Sequence, residues 1–218
     1  MYGYRPELPA PLGAEGVGRI VAAGEGVDPA RIGERVAIIP TLRQGTWRER
    51  TVVDVGHVVS VDPEADPLQL AMLGINPVTA HLVLNDYVHL KPGEWVAQTG
   101  AGSAVGRYVI ALARRAGLRT LNVVRRASAV EELLAAGADA VVVSDETLSE
   151  NVAAVLGGEP IALVLDAVGG EQLSVLAGHS TGAARSSPTR PSTTSRSFSR
   201  PVVPRPGNRL GSLRFHVG

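Results

Sequence analysis

The sequence predicts an α/β protein of two unlike parts, a small β-barrel or sandwich and then a parallel sheet covered by helices, ending in a disordered tail. Three observations carry this expectation. Residues 93–170 alternate short apolar runs with helical patterns, residues 10–70 hold short β-branched runs punctuated by glycine, and residues 180–218 change composition abruptly.

In the second part, EWVAQT reads as a strand and the spacing predicts a helix over 103–116. Val105, Val109, Leu112, Ala113 and Ala116 recur there at helical spacing and give the helix one buried face. TLNVV is the next strand, 129–136 a short helix, and DAVVVSD a third strand. Leu148, Val152, Val155 and Leu156 mark another helix, and IALVLDAV a fourth strand. Strands this apolar, separated by helices, belong in a parallel sheet buried on both faces.

The first part has a different rhythm. Gly13, Gly16, Gly18, Gly24, Gly26 and Gly33 interrupt runs such as RIVAA, RVAIIP and TVVDV, the pattern of close-spaced strands joined by turns. Between the parts, Asn76-Pro77 opens a helix reaching about residue 87, with asparagine as cap and proline in the first turn.

A chain of 218 residues supports one large or two small domains with a hydrophobic core. It has no cysteine, which excludes disulfides and thiolate metal sites and fits a reducing compartment. No apolar run approaches the roughly 20 residues that span a bilayer. The opening MYGYRPELPAP also lacks the basic-then-apolar layout of a signal peptide, so a soluble cytoplasmic protein with no membrane partner is expected.

The net charge of zero conceals an imbalance: residues 1–179 hold 14 basic and 21 acidic side chains, whereas residues 180–218 hold seven arginines and no acid. The tail adds eight serines and five prolines, too little apolar surface to offset an ordering cost of roughly 1–2 kcal/mol per residue. Its Arg/Pro/Ser/Thr mixture matches out-of-frame translation of GC-rich DNA, as does a chain-wide excess of 20 arginines over Lys91 alone. That reading ranks ahead of a plain unstructured extension and of an arginine-rich arm for nucleic acid, so no nucleic-acid partner is expected.

Chemistry points to TGAGSAVGRYVIALARRAG, residues 99–117. It lies after a strand and before a helix, where unpaired N–H groups and the positive end of the helix dipole suit a diphosphate. The glycines Gly100, Gly102 and Gly106 run one residue longer than the dinucleotide fingerprint G-x-G-x-x-G. Ala101 and Ser103 are the smallest substitutes, the Ser103 hydroxyl can add a hydrogen bond, and Gly106 lets the helix pack closely on the strand. Small residues that merely permit tight packing would read the same way.

The second strand discriminates. Where an NAD-preferring fold places an acid on the ribose hydroxyls, this chain has NVVRR, ending in Arg125 and Arg126. Guanidinium groups there can grip a 2′-phosphate through charge-assisted bonds, which favours NADPH over ordinary solvated arginines.

RPELPAPLGAEGVGRIVAAGEGV, IGERV, QGTWRE, GINPVTAHLVL, LKPGEWV and LRTLNVVR together resemble the medium-chain dehydrogenase/reductase superfamily, most closely its zinc-free, mitochondrial-type trans-2-enoyl-thioester reductases. The resemblance runs from about Tyr2 to Gly170. It implies a partial GroES-like catalytic domain over 1–70, a partial, incomplete doubly wound (Rossmann) NADPH-binding domain over 71–179, and the tail over 180–218. It further implies reduction of the carbon–carbon double bond of an enoyl-CoA or acyl-carrier-protein thioester, and homodimers among full-length relatives. A zinc-free NADPH:quinone oxidoreductase and a non-catalytic nucleotide-binding remnant are the alternatives.

By the same resemblance the tyrosine before G-x-x-P-E-L-P is the catalytic acid, here Tyr2. Asn76 and Thr79 of N-P-x-T-A lie near the nicotinamide and phosphates, Gly102, Ser103, Ala104, Val105 and Gly106 form the phosphate turn, and Arg125 and Arg126 the basic pair. Zinc-dependent relatives carry G-H-E where this chain has Gly13-Ala14-Glu15, and His57, His81, His89, His179 and His216 show no ligand spacing, so no metal is expected. Against the family, the chain reads as truncated at both ends: it starts at the tyrosine, and the tail stands where a glycine-rich strand is due.

Overall fold

The computed structural model describes residues 7–41, 45–180 and 212–217, the last as backbone only. The chain divides into two compact units, residues 1–75 with 190–218, and residues 76–189.

The first unit is built on a five-stranded sheet from β1 (Gly16–Ala23), β2 (Arg35–Ile38), β3 (Arg50–Asp54), β4 (Val58–Ser60) and a strand from the tail. β1 pairs antiparallel with β2, with Gly18 opposite Val36, and β2 pairs antiparallel with β4. Thr51 and Val53 of β3 point inward and Arg50, Val52 and Asp54 outward, the period of two that a half-buried strand requires. Ile20, Val27, Val36, Ile38 and Val53 form the core. A short helix, α1 (Pro67–Leu70), follows β4, its Asp66 side chain accepting from the Leu68 N–H at 2.9 Å.

The tail differs from expectation in one stretch. Ser212–Val217 forms a strand inserted between β1 and β3, antiparallel to both, with position 216 opposite Arg19 on one side and Arg50 on the other. Residues 181–211 lie outside the described residues.

The second unit contains α2 (Asn76–Asn85), β5 (Trp95–Thr99), α3 (Ala104–Arg115), β6 (Arg119–Val124), α4 (Val130–Ala135), β7 (Ala140–Val143), α5 (Leu148–Leu156), β8 (Ile161–Leu165) and α6 (Gly170–Gly178). The tail strand Ser212–Val217 is accordingly β9. The helix expected over 76–87 ends at Asn85, and Asn76 is its first residue rather than its cap. All four strands run parallel in the order β7-β6-β5-β8, and every residue of β5 is buried.

Each sheet face is sealed by helices. On one, Ala80 and Leu84 of α2 and Val109 and Ala113 of α3 pack on Val96 and Leu163, while Leu133 of α4 meets Ile110 and Val124. On the other, Leu148, Val152 and Leu156 of α5 and Leu176 of α6 cover Trp95, Ala97, Leu121, Val123 and Val164. After α6 an isolated parallel bridge joins Ser180 to Ile161, whose N–H donates to the His179 carbonyl at 2.9 Å.

Candidate functional site

The strand order fixes where a ligand can enter. From β5 the chain winds outward through β6 and β7, then crosses to β8 on the other side of β5. The C-terminal ends of β5 and β8 therefore lie at a topological switch point, where open α/β sheets leave a crevice. A cleft of about 630 Å³ opens there, lined by Gly100, Gly102 and Ser103 of the turn, Arg125 and Arg126 beyond β6, and Val168 beyond β8.

The turn is shaped by its small residues. Gly100 sits at φ +64°, a left-handed conformation that side chains disfavour. At Gly106 a Cβ would lie 2.4 Å from the Ala101 carbonyl oxygen, so only glycine lets the first turn of α3 close over the loop. Gly102 is the informative case: a Cβ there would meet no protein atom within 4 Å. Gly102 lines the cleft and borders open space. The turn is thus a cradle of small residues at a helix N-terminus, a setting whose N–H groups suit an anionic group.

Ser103 caps α3, its hydroxyl oxygen accepting from the Gly106 N–H at 3.1 Å. The oxygen expected to face a ligand is thus engaged with the helix, and its hydrogen remains to donate outward. Ala104 and Val105 form the first helical turn, partly buried.

Beneath the turn lies a polar brace. The Gln98 side-chain amide donates to the Gly106 carbonyl at 3.0 Å and to Asn122 Oδ1 at 2.7 Å. Asn122 Nδ2 donates in turn to the Ala140 carbonyl at 2.9 Å and to Thr120 Oγ1 at 3.1 Å. This chain of amides ties α3, β5, β6 and β7 together directly under the cradle, and buried polar groups so paired hold one arrangement.

Arg125 and Arg126 are exposed on the cleft rim, and among the described residues neither has a carboxylate partner. The nearby acid Glu132 is taken by Arg107 at 2.7 Å. Two unneutralised guanidinium groups face the crevice.

Of the other sequence candidates, Asn76 and Thr79 stand on the first turn of α2, half-buried, and do not line this cleft. Tyr2 lies outside the described residues. Among the described residues no group of three or more His, Cys, Asp or Glu side chains is placed to hold a metal ion.

The sequence reading missed the far wall. Ala167, Val168 and Gln172 line the cleft, and Thr99 and Asp166 hold that wall by hydrogen bonds. The available signal was DAVGG overlapping the end of the predicted strand IALVLDAV, a carboxylate followed by two glycines; the strand in fact stops at Leu165 and leaves DAV in the loop.

The alcohol dehydrogenase GroES-like domain matches residues 1–148. A mitochondrial enoyl-[acyl-carrier-protein] reductase of Caenorhabditis elegans is 35% identical over 181 residues, covering 81% of this chain and 51% of that protein. The mitochondrial 2-enoyl thioester reductase heterodimer of Candida tropicalis superposes with TM-score 0.67 at 27% identity, covering 78% of this chain and 52% of that one. A Bacillus thuringiensis protein assigned as an NADPH:quinone reductase superposes with TM-score 0.73 at 31% identity, covering 82% of this chain and 54% of that one. The chain thus spans about half the length of the curated relatives it matches. The expected cytoplasmic location is overturned by these relatives, because the enoyl reductases of worm and yeast are both mitochondrial proteins. The absence of a signal-like opening could not have revealed this, since it speaks only to secretion. Matched by that family over most of its length, and with an α/β sheet that shares its neighbours' fold, the chain belongs to the alcohol dehydrogenase GroES-like domain family, within the medium-chain dehydrogenases/reductases.

Proposed function

We propose that this chain carries the NADPH site of an enoyl-thioester reductase, an enzyme that reduces the carbon–carbon double bond of a 2-enoyl-CoA or acyl-carrier-protein thioester. The observation that carries the reading is the pairing of two features in one cleft. A cradle left open by Gly102 lies at the start of α3, and the unneutralised pair Arg125 and Arg126 lies at the end of the adjacent strand. The first suits a diphosphate and the second a 2′-phosphate. The names of the relatives in worm and yeast support the thioester half of the proposal.

In this reading the turn over 100–106 with Arg125 and Arg126 would hold NADPH, which would supply the hydride for the β-carbon of the enoyl group. The protein's part is to orient the dinucleotide along the crevice, stabilise negative charge developing on the thioester carbonyl, and deliver a proton to the α-carbon. Tyr2 is the candidate donor by its place in the family pattern; a phenol can serve both as hydrogen-bond donor and as acid. Gln98 and Asn122 act at one remove by holding the cradle on the sheet.

The test is calorimetric titration of the full chain with NADPH and NADH, with R125E/R126E as comparison. Preference for NADPH, lost in the double variant, is expected. Equal affinity for both nucleotides in the unaltered chain overturns the proposal. The likeness to the Bacillus thuringiensis protein favours a second reading, NADPH:quinone reduction. Crotonyl-thioester and quinone assayed side by side with NADPH separate the two. Binding without turnover of either would leave a nucleotide-binding remnant.

A further inference from the structure

The parallel ladder between β5 and β8 runs as far as Gln98 opposite Leu165 and then stops. One residue further, the strands stay joined by side chains. Thr99 Oγ1 donates to Asp166 Oδ1 at 2.7 Å and accepts from the Ala167 N–H at 2.9 Å. The same Asp166 oxygen accepts from the Val168 N–H at 3.2 Å and the Gly169 N–H at 3.0 Å. Two side chains thus satisfy three consecutive backbone donors of a loop at the cleft wall. Thr99 is only 3% exposed, so little water can stand in for its hydroxyl.

What the latch holds is specific. The Val168 side chain is 52% exposed, lines the cleft, and has its Cγ2 3.7 Å from the point where a Cβ on Gly100 would lie. Ala167 Cβ stands 3.5 Å from the same point. The loop therefore leans against the cradle on the side away from the arginines. A dinucleotide with its diphosphate in the cradle and its 2′-phosphate on Arg125 and Arg126 occupies the β6 side of β5 with its adenosine half. Its other half is directed toward β8, because β6 and β8 flank β5 on opposite sides.

Resting on the dinucleotide reading above, we infer that Thr99 and Asp166 are positioning residues for the nicotinamide half of the cofactor. Through residues 167–169 they fix the apolar wall that this half meets, and they take no part in holding the adenosine 2′-phosphate. Neither touches the cofactor. Their effect on binding is therefore confined to ligands that extend past the cradle.

The experiment titrates the full 218-residue chain and its T99V and T99S variants with NADPH, NADH and 2′-AMP. In T99V, affinity for NADPH and NADH falls by a common factor of about ten, while 2′-AMP affinity stays within about twofold. T99S, which keeps the hydroxyl, restores both dinucleotides. Unchanged NADPH affinity in T99V overturns the latch, and so does parallel loss of 2′-AMP and NADPH, which general loosening of the fold would produce. A measurement needing no variant is amide exchange at residues 167–169 in the unaltered chain: protection is expected, and free exchange at all three also overturns it. If the unaltered chain prefers NADPH over NADH but T99V leaves that affinity unchanged, the latch fails alone; if the unaltered chain binds no dinucleotide, the NADPH reading fails and this one with it.

Discussion

Gln98 and Asn122 meet amide to amide across the two central strands, 2.7 Å apart and shut away from water. Each would be costly to bury alone, and each leaves the other's hydrogen-bonding capacity nearly full. Asn122→Leu removes three partners at once, those of Gln98, Thr120 and Ala140. The expected loss is about 2–3 kcal/mol in the parallel-sheet unit. Urea unfolding followed by Trp95 emission measures it, in a Trp47→Phe background because Trp47 is the exposed tryptophan. A change within about 0.5 kcal/mol would show that the brace contributes nothing to stability.

Two glycines four residues apart should behave oppositely. Gly106→Ala drives a Cβ to 2.4 Å from the Ala101 carbonyl, backbone that cannot give way cheaply, so stability falls by about 1–3 kcal/mol or more. Gly102→Ala meets nothing in the protein, and its melting temperature is expected to stay within experimental scatter. Its NADPH affinity is expected to fall at least about tenfold, because the added methyl takes space that the proposal gives to the diphosphate. Unaltered NADPH binding in Gly102→Ala would mean that the cradle is not where the nucleotide sits.

Acid should act on both units through paired carboxylates. Hydrogen bonds from Arg119 hold Glu159 below its ordinary value of 4.5, and hydrogen bonds from Arg31 and then Ser60 do the same for Glu34. A carboxylate with a lower pKa folded than unfolded adds stability that is complete above the unfolded value. That stability drains as pH falls through the folded one. Arg119 also stacks 4.4 Å from the centre of the Trp95 ring, so loosening of its pair has a local reporter. Glu159→Gln is expected to flatten the loss of stability below about pH 4.5 as read by Trp95 emission, and to leave the neutral range little changed because the pair is exposed. An acid limb identical to that of the unaltered chain would reject the assignment.

The second unit was legible in the sequence because its strands are short, apolar and separated by helices with a single buried face. Val109 and Ala113 could be assigned to the core from spacing alone. The glycine turn and the arginine pair could be placed at one end of the sheet too, since both lie within a few residues of a strand end. The latch was not, because Thr99 and Asp166 are 67 residues apart and only the crossover to β8 brings them together. Sequence spacing along α2 likewise could not show that Asn76 and Thr79 stand off the lining of the cleft. Nor could composition show β9, whose pairing depends on a vacant place between β1 and β3 rather than on any strong pattern of its own.

That vacant place makes the last expectation. β1 and β3 are not paired to each other; both pair with Ser212–Val217, and no other described strand joins β3 to the sheet. Val53, the contribution of β3 to the core, is held against Ile20 and Ile38 only as long as β3 stays in place. Deleting residues 212–218 leaves the backbone groups of two strands unpaired along one side each, a cost that adjoining water offsets only in part. Amide protection is therefore expected to fall at Thr51 and Val53 and along the β9-facing side of β1. The parallel strands β5, β6 and β8 form their own core from other residues, and their protection should not change. Equal protection of β3 in the deleted and full chains would show that the tail strand does not complete this sheet, whereas loss of protection in both units would mean that the two do not fold independently.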